Sequence, residues 1–329
     1  QAVQDRYNRW KHTIDDIKEQ GGVITEANDF YRAEERYWGK VGARLEDFQS
    51  EVDRFVKDVA ADGLQLEDVQ LYAYAKHARE RNAYLARMRA APDGFGAWSG
   101  MSDDEAQAIL DDARQAGLDT QLERHRQTLQ QWIQGTRDLM RDEGLVTPAE
   151  HERLSAIFAD YVPLRGLDEK AAPARPRGGT GQGFDVRGGE TRHTFGRRSE
   201  ARQIIEHIVL DRARTLVRAG KNEVLRSFLA FVLDNPSPNL WEVNAVETRP
   251  FLTVDDDGNQ VIERTEAIIT DDRTVAIKDG GRAVHVRIKD PVLLEQMRNL
   301  HVQEVGRLVG VMLMAQRAMG RLYTTLSPV

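Results

Sequence analysis

The chain has 329 residues, a formal net charge of −7 and no cysteine. The absent thiol excludes disulfides, zinc–thiolate sites and a cysteine nucleophile. With 40% hydrophobic and 30% charged residues, the composition suits amphipathic helices with wide solvated faces, in a chain long enough for two or three domains.

Residues 1–160 read as helices almost throughout. Ile14 and Ile17 mark a short first helix that Gly21-Gly22 ends. Thr25 is the expected N-cap of a long second helix, in which Leu45, Phe48, Val52, Phe55, Val56 and Val59 form one apolar stripe before Gly63. A third helix from about Leu66 carries Leu71, Tyr74, Ala78 and Leu85 and breaks at Pro92-Asp93-Gly94. Ser102-Asp103-Asp104-Glu105 is a capping-box pattern, and Thr147-Pro148-Ala149-Glu150 is another with proline at the first helical position. Between them Leu118, Leu122, Leu129, Trp132, Ile133 and Met140 make a further stripe. Four to six helices joined by short turns predict a bundle or a stack of helical hairpins.

Residues 161–202 change character. They begin Tyr161-Val162-Pro163-Leu164-Arg165, and from Lys170 to Arg202 eight Lys/Arg face only Asp185, Glu190 and Glu200. Seven glycines and two prolines in that window predict a flexible linker that supplies no core element. Gly178-Gly179-Thr180-Gly181-Gln182-Gly183 lacks both the Gly-Lys-Ser/Thr of a phosphate loop and its strand–helix setting. Arg175, Arg177, Arg187, Arg192, Arg197 and Arg198, with Arg202 beyond them, are the candidates for phosphate contact, because guanidinium forks bind phosphate bidentately. With only Phe184 and Phe195 for stacking, such a contact would be sequence-independent; the competing reading is a solvated linker paired with the acidic helices.

From Arg202 to Leu233 the helical period returns, ending at Asn235-Pro236-Ser237-Pro238. Period-two runs follow at Trp241–Val246, Thr274–Lys278 and Arg282–Ile288, the last two joined by the hairpin signal Asp279-Gly280-Gly281. Asp255-Asp256-Asp257-Gly258-Asn259 lacks the ligand spacing of a calcium loop and reads as a turn between strands. Asp290-Pro291 opens a short helix, and Val305–Tyr323 forms a last one. The most apolar window, Leu308–Ala315, lies between Arg307 and Arg317 and falls short of the ~20 residues of a membrane span.

No two of the eight histidines have zincin spacing, and Ser102 and Ser155 lack a glycine elbow. No catalytic residue, metal or cofactor is therefore assigned. The chain opens at Gln1 without a leader pattern and stops at Ser327-Pro328-Val329, so both ends read as cuts in a longer polypeptide.

The order of signals also carries a resemblance. Tyr161-Val162-Pro163-Leu164-Arg165 precedes the Gly/Arg-rich stretch, and Ile204-Ile205-Glu206-His207-Ile208 and Lys221-Asn222-Glu223-Val224 lie on the helix after it. Then come Val275–Val286, Asp290-Pro291 and Arg321-Leu322-Tyr323-Thr324-Thr325-Leu326-Ser327-Pro328-Val329. Over residues 145–329 this series is similar to the large polyvalent protein-associated domains of very large bacteriophage and mobile-element proteins. The resemblance implies a segment packaged in the virion and delivered into the host with DNA.

The resulting expectation is a mainly α fold: an elongated helical bundle with a small antiparallel β-hairpin module in the C-terminal third. Its parts are a helical region 1–160, a linker 161–202, and a long helix with β module and closing helices over 203–329. The expected function is a structural, non-enzymatic segment of an internal virion or DNA-ejection protein, located in the virion and partnered by further copies or by other virion proteins. Two alternatives stand beside it: an accessory domain of a phage-delivered enzyme, such as a virion RNA polymerase or a cell-wall hydrolase, and a sequence-independent nucleic-acid binder.

Overall fold

The computed structural model describes residues 8–87, 99–165, 183–187, 189–190, 203–244, 248–254, 260–266 and 273–298. The chain enters through α1 (Asn8–Glu19) and α2 (Phe30–Ala61). The α2 stripe is buried from Tyr37 through Val41, Leu45, Phe48, Val52, Phe55 and Val59. Thr25 is not its cap. Thr25 N–H donates to Asn28 Oδ1 at 2.6 Å, and its hydroxyl accepts from Asn28 N–H at 3.3 Å. That reciprocal turn closes one step upstream and leaves Asp29 to accept from Arg32 N–H at 3.1 Å.

Helices α3 (Leu66–Arg87), α4 (Asp103–Gln115), α5 (Asp119–Asp142) and α6 (Pro148–Ile157) follow. In α3 the expected stripe is incomplete: Tyr74, Ala78 and Leu85 are buried, whereas Leu71 is 39% exposed. Tyr72, Ala73, Ala75 and His77 are buried as well, because α3 packs against α4, α5 and α7 and covers more than one face. The expected capping box forms in full at Ser102, and at Thr147 its N-cap half forms. Glu105 N–H donates to Ser102 Oγ while Ser102 N–H donates to Glu105 Oε2, and Glu150 N–H donates to Thr147 Oγ1 at 3.0 Å.

The central element is α7 (Ile204–Asp234), buried along nearly its whole length and around its whole circumference. Helices α2 and α5 cover two of its sides, and a small sheet covers another. That sheet has the order β1-β5-β4, all antiparallel, built from β1 (Trp241–Asn244), β4 (Thr274–Asp279) and β5 (Arg282–Ile288). Gly280 and Gly281, at φ +57° and +82°, supply the left-handed pair that a two-residue hairpin turn needs. β2 (Thr248–Val254) and β3 (Gln260–Glu266) pair separately as a two-stranded ribbon. Residues 255–259, the expected turn, lie outside the described residues, but the pairing of Val254 with Gln260 brackets them. Finally α8 (Pro291–Arg298) starts where Asp290 accepts from Val292 and Leu293 N–H groups at 2.8 and 3.1 Å. The Pro92-Asp93-Gly94 break and the Val305–Tyr323 helix lie outside the described residues. No described helix is long and apolar enough to cross a membrane.

The fold is thus mainly α with a small antiparallel sheet near its C-terminal part. One continuous cluster of buried residues runs from Trp10 to Met297, joining residues on both sides of 161–202. At one end of α7, Trp10, Phe30, Phe228, Phe231 and Trp241 pack ring against ring, with centroids 5.0–6.2 Å apart. Near the middle, Gly220 lets α2 approach closely: a Cβ there would run into Val41 Cγ2 and the Tyr37 ring.

Glycine-to-alanine changes within a helix should therefore differ in sign by site. Gly39→Ala on the exposed face of α2, where an added Cβ meets nothing, is expected to stabilise by about 0.5–1 kcal/mol. Gly220→Ala is expected to destabilise by roughly 1–3 kcal/mol through overpacking. Urea unfolding of both variants measures the contrast, and a stabilised Gly220→Ala would contradict the close approach.

Candidate functional site

Antiparallel pairing with β5 turns the N–H and C=O groups of Thr274, Ala276 and Lys278 away from β5, toward the outer edge of β4. That edge is covered by protein. Val186 N–H donates to Ala276 O at 2.8 Å, and Asp185 Oδ1 accepts from Ala276 N–H at 3.0 Å. The Arg187 guanidinium donates to Thr274 O and pairs with Asp185 at 2.7 Å. From α7, Asn222 completes the edge: its Oδ1 accepts from Lys278 N–H at 2.9 Å, and its Nδ2 donates to Lys278 O at 2.7 Å and Glu143 O at 2.8 Å.

Part of the expected linker is therefore a core element. Phe184 and Val186 are fully buried, and Phe184 N–H donates to Met297 O at 2.8 Å. The physical reason is the edge itself. Buried backbone groups must be paired, and this short extended segment pairs them much as a further strand would. Of the six candidate arginines, the structure places only Arg187, which is bound to Thr274 and Asp185; Arg175, Arg177, Arg192, Arg197 and Arg198 lie outside the described residues.

Behind the segment lies a buried ion pair. Arg218 on α7 donates through Nε at 2.7 Å to Glu190 Oε1 and stands 2.6 Å from it through Nη2, while Nη2 also donates to Arg187 O at 3.0 Å. The two side chains are 3% and 6% exposed. Burial pushes the Glu190 carboxyl above its usual range, against the pull of Arg218 and Lys278. Burial raises Asp185 too, opposed by Arg187 and the Ala276 N–H. A raised carboxyl is the raw material of general-acid chemistry. Here, however, the guanidinium lies across the acid and both groups are shut in, so the pair acts as a fastening between α7 and the segment.

A second cluster fixes Tyr161–Arg165. His77 on α3 is fully buried, with Phe158 and Tyr161 edge-on to it at 4.9 and 5.4 Å. Glu80 accepts from Ala159 and Asp160 N–H groups at 3.1 and 3.0 Å. Arg126 on α5 bridges Glu123 at 2.6 Å and Asp160 at 2.5 Å, and that pairing draws Glu123 down to about 2. Gln130 donates to Tyr161 O, the Arg137 guanidinium lies over the Tyr161 ring, Val162 is fully buried, and Arg165 donates to Asp211 on α7 at 2.6 Å. Sequence reading missed Arg218, Lys221, Asn222 and His77 as buried groups. The available signal was polar residues wrapped around an otherwise apolar helix.

Among the described residues no group of three His, Asp or Glu side chains is placed to hold a metal ion. Comparison with known proteins gave no matching family model, no similar curated protein and no similar solved structure.

Removing Glu190 should leave a buried guanidinium uncompensated. Glu190→Ala is expected to cost about 3–5 kcal/mol, whereas Glu190→Gln, which keeps an acceptor for Arg218, should cost clearly less; equal losses in urea unfolding would contradict the pairing. His77 supplies a pH test. Burial lowers its folded-state pKa, so the unfolded chain takes up the proton first, near pH 6.5. Stability is then full above about pH 6.5 and declines as pH falls, by at most about 1.4 kcal/mol per pH unit for this one proton. His77→Phe should flatten that decline between pH 6.5 and 5, and an unchanged slope would contradict it.

Proposed function

We propose that the chain is a structural, non-enzymatic segment of a bacteriophage internal virion protein of the DNA-ejection type, working by assembly with further copies or with other virion proteins. The resemblance over residues 145–329 supplies the biological setting. The observation that carries the reading is where the perturbed ionisable groups go. Glu190 meets Arg218, Asp185 meets Arg187, and Arg126 meets Glu123 and Asp160; the Glu190–Arg218 and Arg126–Asp160 pairs join different elements. Their charge is used for cohesion, which suits a body that transmits or withstands force.

The nucleic-acid reading now rests on five arginines, since Arg187 is engaged within the fold. Light scattering and negative-stain imaging test the assembly reading, together with fluorescence anisotropy on a random double-stranded DNA. Regular oligomers at micromolar concentration are expected, unchanged when Arg175, Arg177, Arg192, Arg197 and Arg198 all become alanine. A monomer whose salt-sensitive DNA binding disappears in that variant would replace this reading with the nucleic-acid one.

A further inference from the structure

A groove of about 800 Å³ opens between α2 and α5, above α7. Phe55 and Trp132, 5.1 Å apart, form part of its floor. Glu51, Arg54 and Asp58 stand on the α2 rim, and Arg124, Thr128 and Gln131 on the α5 rim. Asp62 closes one end and is already neutralised: it accepts from Arg124 and lies 2.6 Å from His125 Nε2.

Arg137, over the Tyr161 ring, and Arg212 are half-buried arginines that lack an ion pair among the described residues, and of the two only Arg212 lines this groove. It rises from α7 between the two helices, its guanidinium 6.0 Å over the Phe48 ring. It also lies against Gly135, where an added Cβ would come within 3.5 Å of Nη1. Nη1 is shut off from solvent and meets no hydrogen-bond partner, and among the described residues no carboxylate reaches ion-pair distance of the side chain. Glu51 and Asp138 act on it only at longer range, and Arg44 opposes them. Burial accordingly holds this guanidinium below the usual arginine range.

A desolvated cation without a counter-charge is costly, and Arg126, Arg165, Arg187 and Arg218 have each been given one. Arg54, on the rim of the same groove, likewise has no ion pair among the described residues. We propose that this groove binds a small oxyanion, a phosphate or carboxylate group, with Arg212 in the floor and Arg54 at the rim as its guanidinium ligands. A guanidinium presents a planar fork to either anion. The volume is that of a small-molecule site, and Phe55 and Trp132 offer an apolar floor to an organic body carrying the anion.

Thermal unfolding and titration calorimetry test this with three probes: sodium phosphate, phenyl phosphate and benzoate, each against sodium chloride at matched ionic strength. At least one probe should raise Tm saturably beyond the chloride control. Equal effects of phosphate and phenyl phosphate identify a bare anion site, and effects confined to the aromatic probes identify an anion on an organic body; both support the proposal. Arg212→Met should weaken binding by about tenfold or more and raise the Tm of the unliganded chain, since it removes an uncompensated buried charge. Gln131→Glu, at an exposed rim position, should weaken binding without lowering the free-protein Tm, which keeps the test decisive if Arg212→Met fails to fold. No saturable shift with any probe overturns the proposal, as does unchanged affinity in Gln131→Glu and Arg212→Met.

Discussion

The structure depends on how the outer edge of β4 is satisfied. A sheet with three strands among the described residues, laid against a helix, buries backbone groups along the outer edge of β4. The solution is divided between Asn222, which spends its amide on Lys278 and Glu143, and the segment Phe184–Arg187, which pairs Thr274 and Ala276. Once that edge is closed, the rest follows. Arg218 sits one helical turn before Asn222 and so faces the incoming segment, where Glu190 neutralises it. Gly281 N–H donates to Gly144 O, which brings the turn after α5 onto the same hairpin. One helix thereby holds the sheet, the segment and the end of α5 through a single polar band.

That arrangement explains why α7 is so unlike an ordinary amphipathic helix. Its apolar residues surround it, and its polar ones, Thr215, Arg218, Lys221 and Asn222, are buried as well. Each buried polar group raises the cost of any alternative packing, because a shifted register would strand it without a partner. The aromatic cluster around Trp10 and Phe228 contributes bulk burial at one end, while the polar band fixes rotation and register near the middle. Arg212 follows the opposite logic, since it stands on the same helix over the Phe48 ring with no carboxylate at ion-pair distance among the described residues.

Local features were legible in the sequence wherever a short motif sufficed. Ser102 and Glu105 specify their own cap, Asp279-Gly280-Gly281 specifies its own turn, and the α2 stripe from Leu45 to Val59 faces inward as its period requires. What was not legible depends on partners far away in the chain. Phe184 and Val186 are two apolar residues amid glycine and arginine, and no local pattern reveals that a strand edge roughly 90 residues later needs covering. The Thr25 reading failed for a nearer reason, since Asn28 competes for the same hydroxyl. The candidate groove was invisible because its walls are ordinary helix faces, and only their divergence over Arg212 makes it a cavity.

The contact between the two ends of the described chain also bears on how the molecule is made. Trp10 donates through its indole N–H to Leu293 O, across 283 residues of sequence, and its ring packs on Phe30 and Phe228. Closing so long a loop is entropically slow and cannot begin until the distal partner exists. During synthesis on the ribosome, Trp10 and Phe30 must remain uncovered while roughly two hundred further residues emerge, at some 5–20 residues per second. The aromatic cluster at this end of α7 is therefore completed late, roughly ten seconds or longer after Trp10 and Phe30 are made.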